Sequence, residues 1–277
     1  METLWIAVLG VVQGATEFLP VSSSGHLAAA ELLLERRGVE LSLTECPLLL
    51  EVLLHLATAL AVIAVYRREV VAAIAGLGRA FVAVTRRSLG ETLAADDDAN
   101  LALALVVGSI PTALLGLALR EPAAVVAASP TGLGFTFLGC ALLLLASRWW
   151  PGGARRLDLR AALLIGSIQG VAVLPGISRS GVTIATALAL GLGREEAARF
   201  SFLLSLPAIL GAALLELDAA QLASADRAAS FGLGALAAFV TGLVALLVLL
   251  RVVRRGKLWL FAPYVAGVGI VSLALLG

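Results

Sequence analysis

The chain has 277 residues, a net charge of +1, and 60% hydrophobic against 14% charged residues, with a mean hydropathy of +1.02. A soluble domain carries about 25% charged residues, so a soluble globular protein is excluded. So is a nucleic-acid binder, which needs a basic surface. What is left is an all-α polytopic membrane protein forming a single membrane domain over 1–277.

In chain order, the first apolar stretch is 3–19, which stops at Pro20. Proline cannot continue a helix without losing a hydrogen bond, and it pushes the residue before it out of the helical region. A Ser/Gly cluster and a second short apolar helix, 23–35, follow. Two short helices joined by a polar break predict a re-entrant hairpin over 3–35. Such a break is tolerated at membrane depth only where protein or a wet cavity surrounds it. Met1–Leu19 has no basic n-region and no small-residue cleavage site, so it is expected to belong to the mature chain.

Stretches 47–66, 99–119, 129–147, 197–217, 230–250 and 258–276 are long enough to span, near the ~20 residues that a ~30 Å core requires. The stretch 69–88, apolar with scattered Arg and Gly, reads as an interfacial helix. Asp96–Asp98 reads as a solvated loop. A second hairpin is predicted over 160–193, with Pro175 at its break and helix 181–193 after it. Cys46 and Cys140 are isolated in apolar settings and read as small buried side chains.

Arginines and lysines collect in loops 67–98, 148–160 and 251–257, and are sparse in the alternate loops. The positive-inside rule makes the first three cytoplasmic. Six spans then alternate only if 160–193 dips in from the cytoplasm and 1–35 from outside, with both termini outside. Arg36 and Arg37 fall on the outer side in this arrangement. The expected architecture is six transmembrane helices plus two re-entrant hairpins in an inverted-topology repeat. Repeat one runs over about 1–119 and repeat two over about 129–277.

The hairpins are themselves a repeat. Gly10–Gly25 returns as Gly166–Gly181, and Gly10/Gly166, Gln13/Gln169, Gly14/Gly170, Ser22/Ser178, Ser24/Ser180 and Gly25/Gly181 are identical. The substitutions divide the chemistry: Glu17 faces Val173, Ser23 faces Arg179, and His26 faces Val182. A half-helix that begins at membrane depth aims unpaired N–H groups and a positive dipole end inward. Ser22, Ser23 and Ser24 suit the cap of one such helix, and Ser178 and Ser180 that of the other. Two N-termini converging from opposite faces make an anion site, as in transporters with broken helices.

Arg179 adds a fixed charge and a planar fork that matches phosphate. It either clamps the anion or forms a structural ion pair with Glu17, and the two roles are compatible. Glu17 is an intramembrane carboxylate, a functional candidate by default. Gln13 lies one turn before it on the same face. His26 is three residues past Ser23, so an imidazole and a hydroxyl could meet. Thr183 follows Arg179 by one turn and could add a hydroxyl. Glu51 and His55 form an i, i+4 pair, read either as support for the site or as an intrahelical hydrogen bond. Gln169 reads as a brace for the second break.

These residues match a known pattern. The run Gln-Gly-Ala-Thr-Glu-Phe-Leu-Pro-Val-Ser-Ser-Ser-Gly-His-Leu at 13–27, with Leu-Pro-Gly-Ile-Ser-Arg-Ser-Gly-Val-Thr at 174–183, resembles the undecaprenyl-diphosphate phosphatase family of bacitracin-resistance membrane proteins. Phe200–Pro207 is similar to a third family segment. The resemblance implies hydrolysis of undecaprenyl diphosphate to undecaprenyl phosphate and inorganic phosphate. It also implies a divalent cation, Mg or Ca, and a site in the bacterial inner membrane reached from the outer, periplasmic side. It places Glu17, Ser23, His26, Ser178, Arg179, Ser180 and Thr183 on family site residues. The family's first motif often has two acidic residues four apart. Here the first position is Gln13, and Glu51, on another acidic position of the family, is expected to complete a metal site with Glu17.

On this reading Glu17, Ser23, His26 and Arg179 are catalytic, and Gln13, Ser22, Ser24, Ser178, Ser180 and Thr183 bind substrate. Either Ser23 attacks phosphorus to form a phosphoseryl intermediate, or a water activated by metal, Glu17 or His26 attacks directly. The expected partners are the polyprenyl diphosphate lipid and membrane lipids. The rival reading is a secondary transporter or flippase for an anionic lipid, which the inverted repeat alone would also fit.

Overall fold

A computed structural model describes residues 2–36, 48–216 and 228–276. Cys46, Arg37 and almost all of loop 218–229 lie outside these described residues. The chain is helical nearly throughout: α1 (Glu2–Phe18), α2 (Ser23–Arg36), α3 (Leu48–Val65), α4 (Arg67–Thr85), α5 (Leu89–Ala95), α6 (Asp97–Ala118), α7 (Arg120–Ala127), α8 (Pro130–Ala146), α9 (Leu159–Val171), α10 (Arg179–Ala189), α11 (Arg194–Glu216), α12 (Ala228–Arg254) and α13 (Ala262–Leu276). No strand is present among the described residues, and Arg155 and Leu192 form a lone bridge.

Four helices are long and apolar enough to cross a membrane: Asp97–Ala118, Pro130–Trp149, Arg194–Leu215 and Ala229–Arg254. A fifth is added if Leu49–Val65 and Arg67–Thr85, bent 88° apart, count as one span. Two sequence expectations change here. The stretch 258–276 is a 3-10 turn, Leu258–Phe261, followed by the 15 residues of α13. The stretch 47–66 ends at a sharp turn, because Arg67, Arg68 and Glu69 follow directly and cannot extend an apolar helix.

Helix α4 then runs across the end of α6. Ala73, Gly76, Ala80 and Ala83 are buried, while Val71, Ile74, Phe81 and Val84 are exposed. Asp96–Asp98 is not a free loop. Asp96 caps α6, its side chain accepting from the N–H groups of Asp98 and Ala99 at 3.0 Å each, and it pairs with Arg79 at 2.5 Å. Asp97 and Asp98 form the first turn of α6, where negative charge suits the helix dipole.

The stretches 3–35 and 160–193 are both broken helices. Helix α1 ends at Phe18 and α2 starts at Ser23; α9 ends at Val171 and α10 starts at Arg179. The second break opens before position 174 because the turns at Ala172, Val173 and Leu174 tighten to i→i+3 bonds ahead of Pro175. The two hairpins exchange partners. α1 lies along α12, and α9 lies along α6. A Cβ on Gly10 would run into the Gly234 carbonyl, and one on Gly166 into the Gly108 carbonyl. Gly14 abuts Ala238 and Thr241 as Gly170 abuts Thr112 and Leu115. These partners are separated by one constant spacing along the chain, so the contacts of the two broken helices correspond position by position. Small residues are what permit such close helix contact in an apolar medium.

The basic loops gather at one end of the molecule. Arg156 bonds Asp97 and the carbonyls of Leu93 and Ala94. Arg254 pairs with Glu195 at 3.0 Å, and Arg194 reaches the Arg254 carbonyl.

Candidate active site

The two breaks meet. A Cβ on Gly25 would strike Gly176, and one on Gly181 would press on Pro20. Each second half-helix therefore enters against the break of the other hairpin, at matching repeat positions. Two hydroxyls tie the breaks together. Ser22 Oγ accepts the N–H of Gly176 at 3.0 Å as well as that of Gly25 at 3.3 Å. Ser180 Oγ donates to the Phe18 carbonyl at 2.7 Å. Ser22 holds φ of 68°, a left-handed conformation uncommon outside glycine.

The serine clusters divide into working parts. Ser22 caps α2 and Ser178 caps α10, through Gly181 N–H at 3.3 Å. Ser180 is not a cap; it sits inside α10 with its hydroxyl spent on Phe18. Thr183 is fully buried, donating to the Arg179 carbonyl at 2.7 Å and sharing a hydrogen bond with Ser201. Ser23, half-buried in the first turn of α2, and the exposed Ser24 have no hydrogen bond on their hydroxyls among the described residues. The N–H groups of Ser23, Ser24, Arg179 and Ser180 precede the first intrahelical bonds of their helices.

Arg179 bridges the halves. Its Nη2 donates to Glu17 Oε1. The Glu17 side chain is 7% exposed, and its other oxygen accepts from Gln13 Nε2 at 3.1 Å and lies 3.6 Å from His55 Nδ1. Gln13 Nε2 also lies 3.1 Å from that ring nitrogen. The i, i+4 placement of Gln13 and Glu17 thus brings them together, and α3 supplies His55. Arg179 Nη1 is buried and has no partner among the described residues. Gln169 Oε1, at the matching position to Gln13, is also unpartnered, while its Nε2 braces Thr112 and the Leu204 carbonyl. Of these two, only the arginine nitrogen can donate to an anion.

His26 does not meet Ser23. Its Nδ1 lies 2.8 Å from the Ser22 carbonyl and its Nε2 2.8 Å from the Tyr264 hydroxyl. One helical turn from α2's start points the ring back along its own helix toward the cap carbonyl. Phe137 stands edge-on to it at 5.5 Å. Sequence reasoning missed Tyr264, and nothing in its local sequence marks it.

Glu51 is exposed, one turn from His55, with no hydrogen bond or ion pair among the described residues. No three His, Cys, Asp or Glu side chains gather among the described residues. The donors do not form a protein-built metal cage. An ion of the magnesium type is commonly held by one or two carboxylates together with substrate phosphates, and Glu17, bonded to Arg179 and Gln13, is a carboxylate at the breaks.

The fold and site define a class: a helical membrane-type protein with a polar centre assembled from two broken helices. The Bacitracin resistance protein BacA family model matches residues 6–271, and the chain belongs to that family. It is 45% identical to an undecaprenyl-diphosphatase of Desulfosudis oleivorans, over 99% of this chain and 98% of the relative. It is 42% identical to one of Desulfatibacillum aliphaticivorans, over 95% of each. It is 41% identical to one of Korarchaeum cryptofilum, over the full length of both.

Proposed function

We propose that the chain removes the terminal phosphate of undecaprenyl diphosphate, with the diphosphate held between the N-termini of α2 and α10. The observation that carries this is the unpartnered, buried Arg179 Nη1. Leaving a buried charged donor unmade is costly, and a phosphoryl oxygen satisfies it while Nη2 stays on Glu17. The names and full-length similarity of the relatives support the substrate and the reaction. Nothing in the site favours transport over chemistry, since anion capture alone needs neither Glu17 nor His26.

Phosphoryl transfer depends chiefly on positioning and charge neutralisation. Arg179 and the free N–H groups of Ser23, Ser24, Arg179 and Ser180 supply both. Ser22 and Ser178 shape the two N-termini, and Gln13 orients Glu17. A divalent cation, Mg or Ca, held by Glu17 and the substrate would add Lewis-acid neutralisation of the phosphates. Ser23 is a half-buried hydroxyl left free at a helix N-terminus, so it is the nucleophile this geometry favours; its attack on the terminal phosphorus breaks the bond to the bridging oxygen, releases undecaprenyl phosphate and leaves a phosphoserine that water hydrolyses to inorganic phosphate. His26 Nδ1 faces a carbonyl and must donate, which leaves Nε2 as the nitrogen able to take a proton.

The finer topology follows the same reading: six spans and two hairpins entering from opposite faces of a bacterial inner membrane, in inverted repeats. The clustered basic loops mark the cytoplasmic end, and the site opens to the outer side, where carrier released by wall synthesis would be recycled. That role accounts for the bacitracin-resistance name of the family. The test is release of free phosphate from undecaprenyl diphosphate by the purified chain in detergent. Turnover with loss on Arg179→Ala supports the reading; intact lipid diphosphate after long incubation refutes it.

A further inference from the structure

His26 is held at four points. Because the Ser22 carbonyl can only accept, Nδ1 carries the proton of the neutral ring, and Nε2 accepts from the Tyr264 hydroxyl. The Tyr264 ring lies parallel to the imidazole at 5.6 Å and 5°, and Phe137 meets it at 88°. Gly25 makes room for this arrangement, since a Cβ there would strike the Phe137 ring. These groups come from α2's own start, α8 and α13. No charged side chain bonds or pairs with the ring among the described residues. Tyr264 is itself 54% exposed, so neither it nor its hydroxyl is required to satisfy a buried core.

A tyrosine that is half exposed yet stacked parallel to a histidine and bonded to its one basic nitrogen is placed for that nitrogen. Without it, Nε2 has no partner in the fold, and the ring is free to swing about χ2, a broad torsion. We propose that Tyr264 is a positioning residue for His26. With the Ser22 carbonyl setting the Nδ1–H tautomer, it holds Nε2 in one direction before the diphosphate arrives; its O–H fills the one Nε2 lone pair, so a proton reaches that nitrogen as the phenol passes its own hydrogen on and takes up the incoming one. The phenol suits this task because it donates to Nε2 in the neutral ring and accepts from it once the ring is protonated. This rests on the assignment of His26 as the base in the reaction above.

The test is a double-mutant cycle on the purified, full-length protein, with undecaprenyl diphosphate in detergent, using Tyr264→Phe, His26→Gln and the pair. Tyr264→Phe should lower kcat about tenfold, leave KM within about twofold, and move the acidic limb of the kcat–pH profile. In the His26→Gln background the same change should do nothing further, because both residues act as one unit. Equal losses in both backgrounds, or none in either, would overturn the proposal. Full turnover by His26→Gln would instead remove His26 as the base, and this inference with it.

A readout free of activity is nitrogen NMR of the labelled imidazoles, assigned with His55→Gln since the chain has two histidines. The wild type and Tyr264→Phe should both show the Nδ1–H form of His26 that the Ser22 carbonyl sets, with the Nε2 resonance shifted in Tyr264→Phe by loss of its hydrogen bond. An Nε2 resonance unchanged in Tyr264→Phe would also count against it.

Discussion

The two breaks share a scaffold and differ in content. Break one is four residues, 19–22, closed by Pro20 and the left-handed Ser22; break two is seven, 172–178, with Gly176 at φ of 91°. Gly25 against Gly176 and Gly181 against Pro20 are the same contact made twice. Around this frame, the first hairpin carries Glu17, Ser23 and His26, and the second carries Arg179. The two hairpins share the backbone meeting point and the helix N-termini, while the anionic and basic groups lie on one and the permanent cation on the other.

The comparison breaks most directly at the cation. Arg179→Ala should cut phosphate release at least about a hundredfold, about 2.7 kcal/mol, and Arg179→Lys at least about tenfold, because lysine keeps the charge but loses the fork. Near-wild-type turnover in both would leave the second hairpin without a chemical role. Glu17→Gln should lower release by a comparable order while the protein stays folded. Removing a buried carboxylate leaves Arg179 without its partner, yet glutamine still offers an acceptor, so melting in detergent should change far less than activity. Unfolding together with normal turnover in the folded fraction would make Glu17 structural.

A smaller effect probes the shared frame. Gly10→Val and Gly166→Val should each overpack a helix contact and lower stability by about 1–3 kcal/mol, to a similar degree. A large loss at one site and none at the other would deny that the partner exchange is symmetric. The smallest lies outside both hairpins. Asp96→Ala should cost about 1 kcal/mol as a lost cap and leave turnover unchanged. The hydrogen bond from Arg79, then the N–H of Ala99, holds the Asp96 carboxyl at about 2, below its ordinary 3.8. Its contribution is therefore present above about pH 4 and lost as pH falls toward 2, and solvent screening keeps it small. A thermal-shift titration that loses nothing over that window, or loses the same in Asp96→Ala, would remove Asp96 from the account.

Pro20, Pro175 and the repeated Gly and Ser positions made both hairpins legible, because prolines and caps act locally. The Glu17–Arg179 pair was legible too, since two opposite charges in an apolar chain must find each other. Three things were not. The partners of Gly10 and Gly166 sit in stretches so rich in Gly, Ala and Leu that Gly108 and Gly234 do not stand out. The directions of Ser180 and Thr183 depend on which carbonyl comes nearest after packing, and sequence spacing gave only the face. Tyr264 is 238 residues from His26, and no periodicity links them.

The most direct measurement is a structure with inorganic diphosphate bound. The account predicts density on Arg179 Nη1, touching N–H groups at the start of both α2 and α10, with Glu17 still on Nη2. Density held by one helix N-terminus alone, or away from Arg179, would contradict a site completed by both halves.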